Sequence, residues 1–574
     1  MKRQTAYSLG LDFGTNSVRA LLVDIRNGRE VGTAVHGYAS GQEGILLHPA
    51  DPDLARQNPA DYLAGMETSL AAALKAARKN DKAFDPGRII GIGVDTTGST
   101  PLPVDAAGVP LCFRAKFRKN LNAMAWLWKD HTAHAEAAEI TRLAAEKHPE
   151  YLAKCGGTYS SEWFFSKILH CLRIDPDVFA AAHSWVECCD YIPAVLTGVK
   201  TAEDIKRSRC AAGHKAMFNG TWGGLPSADF LSALHPKLGR LRTRLYDRTE
   251  TSDVPAGGLT KTWAAQLGLR EGTPVAVGAF DAHLGGVGSG VAPGVFVKIV
   301  GTSTCDIAVW PESENLPDIP GLCGIVEGSV LPGYLGLEAG QSAVGDIFNW
   351  FVNTIQPGGP KKGSHDALTR RAARLRPGRS GLLALDWNNG NRTVLVDQRL
   401  TGLLVGQTLH TKPEEIYRAL IEATAFGALT IIRRFEEYGV AVREVVNCGG
   451  IAEKNPLVMQ IYADVTGKEM KIARSVQTCA LGAAMAGAVA AGEERGGYAR
   501  FEDAQAAMAG VRKKTFKPNP ENHAVYRELF LLYKKLHDAF GTKEGDGRLY
   551  PIMKDLLDIR DRKPGGKKPR RRRK

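Results

Sequence analysis

Residues 9–25 read LGLDFGTNSVRALLVDI, and residues 295–310 read VFVKIVGTSTCDIAVW. Each is an apolar, β-rich run, a Gly-Thr turn and a second β-rich run. Glycine permits the backbone angles a tight turn needs, and Thr or Asn can bond the turn amides, so each stretch reads as a hairpin. The turn glycines Gly14 and Gly301 stand half the 574-residue chain apart. With no period of about 20 to 50 residues elsewhere, this distant echo predicts two duplicated domains rather than a repeat array. A boundary is expected near residues 260–295.

Between and after the hairpins, helical patterns run over 59–79, 126–146, 161–173, 413–438 and 480–491, and strand patterns over 89–94 and 274–279. Alternating strands and helices predict an α/β architecture. A last amphipathic helix is expected over 521–540, with Val525, Leu529, Leu532 and Leu536 on its apolar stripe, after which the chain frays.

Composition excludes several classes. With 44% apolar and 24% charged residues the chain reads as an ordinary folded protein. The early run Ser8–Phe13 is broken by Asp12 and followed by no small-residue cleavage site. No run of about 18 apolar residues offers a membrane span, so the cytoplasm is the expected address. Ten cysteines without a Cys-x-x-Cys pair suggest neither a zinc cage nor a disulfide framework. The net charge of +13 drops to +4 without the nine Lys and Arg of residues 562–574. That Pro/Gly/Lys/Arg end reads as a solvated tail, and no specific nucleic-acid partner is expected.

Neither a Walker loop nor a dinucleotide fingerprint is present. The two turns, Gly14-Thr15 and Gly301-Thr302-Ser303, remain as the means of gripping a polyphosphate from two sides. Asp12 could anchor Mg²⁺ through water, because that ion prefers oxygen ligands and keeps part of its hydration.

In these residues the chain resembles the FGGY carbohydrate kinases, a branch of the actin and hexokinase superfamily, up to about residue 540. The family's first phosphate motif matches Asp12-Phe13-Gly14-Thr15 and its second Gly301-Thr302-Ser303. Its adenosine motif resembles residues 447–467, where Gly449 and Gly450 would let backbone approach the nucleotide. Its catalytic signature is met by Gly278, Asp281 and Gly288. The resemblance implies two actin-like (ribonuclease H-like) ATPase domains with an active-site cleft between them. Residues 1–280 would carry the sugar site and the first turn, 281–545 the ATP site and the base, and 546–574 a basic disordered tail.

The resemblance implies ATP and Mg²⁺ as cofactors, with Gly14, Thr15, Asn16, Gly301, Thr302, Ser303, Gly449, Gly450 and Asn455 on ATP, Asp12 on the metal and Asp281 as general base. A carboxylate there suits a reaction in which a sugar hydroxyl attacks the γ-phosphoryl group in line and loses its proton.

Residues 159–165 (YSSEWFF), 187–191 (ECCDY), 207–218 with 222–226, 337–346 (LEAGQSAVGD) and 402–427 look more specifically like the ribulokinase branch. That resemblance implies Gly98, Lys215, Asp281 and Glu338 on the sugar and phosphorylation of ribulose, most closely the L form, at its 5-hydroxyl in pentose (arabinose) catabolism. Many members of the wider family carry an arginine after a Trp-x-Asp. Here Trp128-Lys129-Asp130-His131 is followed by Thr132-Ala133, which argues against glycerol or xylulose. Asp130 and His131 are candidates to touch the sugar, and Trp126 and Trp128 either wall its pocket or pack. The rival readings are a kinase of another polyol (ribitol, xylulose, glycerol) and a non-catalytic actin-like ATPase. The sequence leaves a homodimer open.

Overall fold

A computed structural model describes residues 5–357, 359, 364–543 and 547–560. Its first sheet holds strands β1 (Tyr7–Phe13), β2 (Ser17–Asp24), β3 (Arg29–Gly37), β4 (Ile89–Thr96), β5 (Pro255–Gly258), β6 (Pro274–Ala276) and β7 (Ala279–Phe280). The order is β5-β6-β4-β1-β2-β3, with β7 pairing β4. The second sheet holds β8 (Val295–Val300), β9 (Thr304–Pro311), β10 (Gly324–Glu327), β11 (Tyr334–Ala339), β12 (Glu444–Cys448) and β13 (Met470–Ile472), in the order β10-β11-β9-β8-β12-β13. Each sheet is built on one Gly-Thr hairpin, β1-β2 and β8-β9, flanked by a parallel strand, β4 or β12. Both expected hairpins are present, and the echo is structural.

The helices that matter here are α1 (Pro59–Asn80), α2 (His134–Lys147), α3 (Phe164–Ile174), α4 (Arg209–Lys215), α5 (Asp281–Gly288), α6 (Pro413–Glu437), α7 (Pro456–Thr466), α8 (Thr478–Ala491), α9 (Pro520–Gly541) and α10 (Ile552–Arg560). The expected strands and most expected helices agree within a few residues.

Helix α8 ties the halves together. Its run TCALGAAMAGAVAA carries no long side chain but Leu481 and Met485, and its backbone lies directly on β1, β4 and α5. A Cβ on Gly10 would lie 1.9 Å from the Ala480 carbonyl oxygen, one on Gly93 1.7 Å from that of Ala483, and one on Gly288 2.0 Å from that of Thr478. Small residues are required on both sides because such close approach leaves no room for a methyl group.

Three expectations change. The helix foreseen over 126–146 begins only at His134. Before it, Ala125–Trp126 form a short strand on Arg56–Gln57, and Asp130 is fully buried, accepting bonds from the Ala55 amide (2.8 Å), the Thr132 hydroxyl (2.6 Å) and Arg56. A carboxylate that bonds local backbone competes with the helix ladder, and in this place it cannot reach a sugar. Trp126 is buried as well, under the Arg56 guanidinium at 3.4 Å, so its role is packing.

In α9 the buried stripe is Tyr526, Phe530, Tyr533 and His537, one residue on from the expected leucines. The tyrosine rings bury more area and their hydroxyls find buried partners, Glu422 (2.8 Å) and Asp386 (3.1 Å), which turns the helix toward them. Val525 and Leu532 are left exposed.

The chain does not end its structure near residue 540. Helix α10 docks with Met553 buried and Lys554 2.9 Å from Asp397. The basic run 562–574 lies outside the described residues.

Candidate active site

A cavity of about 750 Å³ lies between the halves. Its lining brings together residues singled out in the sequence, Thr15, Gly98, Lys215, Asp281, Gly301, Thr302, Ser303 and Glu338 among them. They come from hairpin turns, loops, a strand and the ends of two helices, so only the fold makes them neighbours.

One end of the cavity is built around a buried ion pair. Lys215 closes helix α4, whose N-cap Ser208 accepts from the Ala211 amide, and the Tyr159 hydroxyl donates to the Lys215 carbonyl at 2.6 Å. Its Nζ donates to both oxygens of Glu338, at 3.1 and 3.0 Å, across the two halves. Burial opposes the Lys215 charge, but Glu338 outweighs it and holds the ammonium above its usual pKa. Burial likewise opposes the Glu338 charge, yet Lys215, then His214 and His283, bring its pKa well below the ordinary carboxylate range. Both groups stay charged, which gives the cavity wall a strong donor and a strong acceptor.

Asp281 opens α5, its Oδ1 accepting from the Ala282 amide at 2.6 Å. Burial, then the nearby Asp12 charge, pushes its pKa up to about 7, which suits a general base working near neutrality. Gly98 faces the Phe280 ring, where a Cβ would lie only 2.1 Å from the ring carbon. The loop is held from behind. Glu187 accepts from the Ser99 hydroxyl and from the Thr100 amide (2.7 Å), while Lys167 donates to the Ser99 carbonyl (2.9 Å). The ECCDY stretch therefore stands one step behind the cavity wall, holding the loop that carries Gly98. Asp190, in the same stretch, accepts from the Ser208 amide at the N-cap of α4.

At the hairpin end of the cavity, Thr15 is held by the Trp128 indole, whose Nε1 donates to its Oγ1 at 3.0 Å. Trp128 lines the cavity, unlike Trp126. Gly14 sits in the turn with its amide donating to the Ser17 carbonyl at 2.9 Å, and Asn16 points outward, donating to the Glu43 carbonyl at 2.7 Å. In the second hairpin the Gly301 amide donates to the Ser303 carbonyl at 2.9 Å.

The adenosine-motif residues lie beyond the cavity lining. Gly449 has φ +91° at the end of β12, where only glycine is unstrained, and Gly450 has open space before it. Asn455 caps α7, its Oδ1 accepting from the Val458 amide at 3.3 Å. The segment 222–226 is also outside the lining, Trp222 donating instead to the Met217 carbonyl.

Sequence reasoning passed over Asp95. It ends β4 in parallel register with Asp12, is fully buried, and neither of its oxygens accepts a hydrogen bond among the described residues. Burial first, then Asp12 and Asp281, holds its pKa far above the carboxylate range. The only signal in the sequence was an acid ending an apolar strand run. His283 and His214, behind Glu338, were also missed. Ten free cysteines and no helix long and apolar enough to cross a membrane complete the picture among the described residues.

Residues 7–288 match the N-terminal domain and residues 296–491 the C-terminal domain of the FGGY family of carbohydrate kinases. The chain belongs to that family. FGGY relatives include a ribulokinase of Shouchella clausii, 45% identical with 99% of each chain covered, and one of Mycolicibacterium smegmatis, 41% identical over 97% of this chain and 98% of that one. Among solved structures, a xylulose kinase from Rhodospirillum rubrum superposes with a TM-score of 0.73 at 23% identity, covering 93% of this chain and 99% of that one. A Plasmodium falciparum glycerol kinase with ADP gives 0.74 at 14% identity, covering 93% and 98%. These two speak for the fold alone.

Proposed function

We infer that the protein transfers the γ-phosphoryl group of ATP to the 5-hydroxyl of ribulose, most closely L-ribulose. The observation that carries this reading is one cavity in which a half-buried carboxylate of raised pKa, Asp281, lies between two phosphate-type turns and a charged Lys215–Glu338 pair. The near full-length similarity to ribulokinases selects the sugar. Asp281 orients the attacking hydroxyl and accepts its proton as the bond to phosphorus forms. Lys215 and Glu338 supply donor and acceptor to the sugar's other hydroxyls, and Gly98 lets its loop pack against Phe280 beside them. Thr15, Gly301, Thr302 and Ser303 receive the phosphates with hydroxyls and turn amides, Gly14 and Asn16 shape the first turn, and Gly449, Gly450 and Asn455 serve the adenosine side.

Mg²⁺ fits this chain: Asp12, whose ion-pair partner Arg19 is partly exposed, stands in register beside buried Asp95, whose oxygens accept no hydrogen bond among the described residues, and together they are hard oxygen donors of the kind that ion prefers. When bound, the ion would neutralise phosphate charge. A cytoplasmic site of action agrees with the free cysteines and the use of ATP.

Initial rates with L-ribulose, D-ribulose, ribitol, L-xylulose and glycerol, read by coupled ADP detection, test the reading. L-ribulose should give the highest kcat/KM, and a preference for glycerol or ribitol would overturn it. ATP turnover unaffected by any sugar would instead support a non-catalytic actin-like ATPase.

A further inference from the structure

We propose that His283 hydrogen-bonds the sugar directly, beside Glu338, as a fifth member of the acceptor site. The proposal rests on the kinase reading above and deepens it. His283 follows the base Asp281 by two residues on the first turn of α5, is 2% exposed, and forms part of the cavity wall. Neither of its ring nitrogens has a hydrogen-bond partner among the described residues. Leaving a buried imidazole nitrogen without a partner is costly, so an orphan facing a ligand cavity points to a partner that arrives with the ligand.

The neighbours define what that partner is. Nε2 of His283 stands 3.7 Å from Oε2 of Glu338, too far for a direct bond and close enough for one hydroxyl to be shared by both. Burial lowers the His283 pKa to about 4, so at neutral pH the ring has one donor and one acceptor nitrogen, which suits a polyol or ketose oxygen.

His214 is different, although its ring lies 4.3 Å from that of His283. Its Nε2 lies 3.0 Å from the Ser329 hydroxyl and its Nδ1 3.2 Å from Oε2 of Glu338, and it is not part of the cavity wall. It fits against Gly324, where a Cβ would lie 1.9 Å from its Nδ1. His214 is therefore a backing for Glu338 held against Ser329, whereas His283 is the imidazole in the cavity wall with neither nitrogen bonded among the described residues.

The trio His214, His283 and Glu338 has ligand atoms close enough to hold a metal ion. The Lys215 ammonium argues against one, because it already bonds both oxygens of Glu338 and would repel a second cation.

The test compares His283→Leu and His283→Asn with the full-length protein, using steady-state kinetics, calorimetric titration of sugar and of ATP, melting temperature and elemental analysis. The acceptor is whichever sugar the unaltered protein turns over fastest. If that is not ribulose, the ribulose reading fails while the comparison at His283 still stands. The expected result is a rise in the sugar KM and dissociation constant of roughly tenfold or more for Leu. The ATP constants should stay within about twofold, the melting temperature within a few degrees, and Asn should recover part of the sugar affinity. A sugar KM within about twofold of the parent in His283→Leu would overturn the proposal. So would a joint loss of sugar affinity, ATP affinity and thermal stability, which marks a packing role, or stoichiometric zinc in the parent that the variant lacks.

Discussion

The two Gly-Thr hairpins share a backbone and differ in charge. Each carries a cross-strand ion pair behind its turn: Asp12 opposite Arg19 in β1-β2, and Lys298 opposite Asp306 in β8-β9. The polarity is reversed, acid then base in the first and base then acid in the second. Their surroundings differ too. The Arg19 side chain is 33% exposed and its 2.6 Å bond to Asp12 is the only one described for it, so water weakens the pair and a metal ion can compete for the carboxylate. The second pair is sealed, at 1% and 0% exposure, and Lys298 also donates to Gln341, which in turn donates to Asp386. One copy of the turn thus holds a loosely paired carboxylate close to Asp281 and Asp95, while the other is locked as a rigid brace against the strand that carries Glu338.

The largest expected effect falls on the carboxylate that faces the first hairpin's charge. Asp281→Asn should lower turnover by roughly 10² to 10⁴ with ATP affinity little changed, measured by single-turnover phosphoryl transfer beside calorimetric titration. A variant within about threefold of the parent would show that positioning alone suffices. The base works only when ionised. With its pKa near 7, kcat/KM for the sugar should rise with pH through about 7 and fall below it, and that acid limb should vanish in Asp281→Asn. A flat profile between pH 6 and 8 (roughly one unit on either side of that pKa) would remove Asp12 and burial as its cause.

Next in size is the sealed pair. Lys298→Met leaves Asp306 buried without its cation and should cost about 3 to 5 kcal/mol of stability in denaturant unfolding, since breaking a buried pair is far worse than never having had one. A loss under about 1 kcal/mol would mean that water reaches the second hairpin and that the contrast with the first is false.

Lys215→Ala should weaken sugar binding by about 1 to 3 kcal/mol with ATP affinity unchanged, because it strips a donor from buried oxygens and leaves Glu338 unpaired. An unchanged sugar KM would sink its role. Smaller still, Thr15→Leu and Thr302→Leu should each weaken ATP by about 1 kcal/mol or more while sparing the sugar. Damage confined to ribulose affinity would contradict the assignment of both turns to phosphates. The smallest effect is Arg19→Ala, at most about 1 kcal/mol in stability. It should raise the affinity for Mn²⁺ in the ATP complex, read by electron paramagnetic resonance, because it frees Asp12 from its competing cation.

Much was legible in the chain before any coordinates. The turn chemistry of Gly14-Thr15 and Gly301-Thr302, repeated half a chain apart, announced the two hairpins. Alternation of β and helical patterns announced the sheets around them. Lys215, Glu338 and Asp281 were legible only through motif resemblance, since a lysine on a short helix and a glutamate on a strand have no local reason to meet. Periodicity misled where side-chain size decided: in α9 the leucines and the aromatics both repeat at helical spacing, and the aromatics face inward because their hydroxyls meet Glu422 and Asp386. Trp126 and Trp128 looked alike in the sequence, yet one is sealed beneath Arg56 and the other bonds Thr15 in the cavity.

By itself the sequence determined the local geometry: which residues turn, which alternate, and where glycine and alanine must stand for β1, β4 and α8 to touch. These properties depend on a residue and its near neighbours. Only the tertiary structure decided charge and access. It set Asp95 against Asp12 and left it and His283 without a hydrogen-bond partner among the described residues, put His214 beside Ser329, and made one hairpin's ion pair open and the other's sealed. The reason is physical: the state of an ionisable group depends on water and on charges within a few ångströms, and those neighbours come from strands and helices hundreds of residues apart.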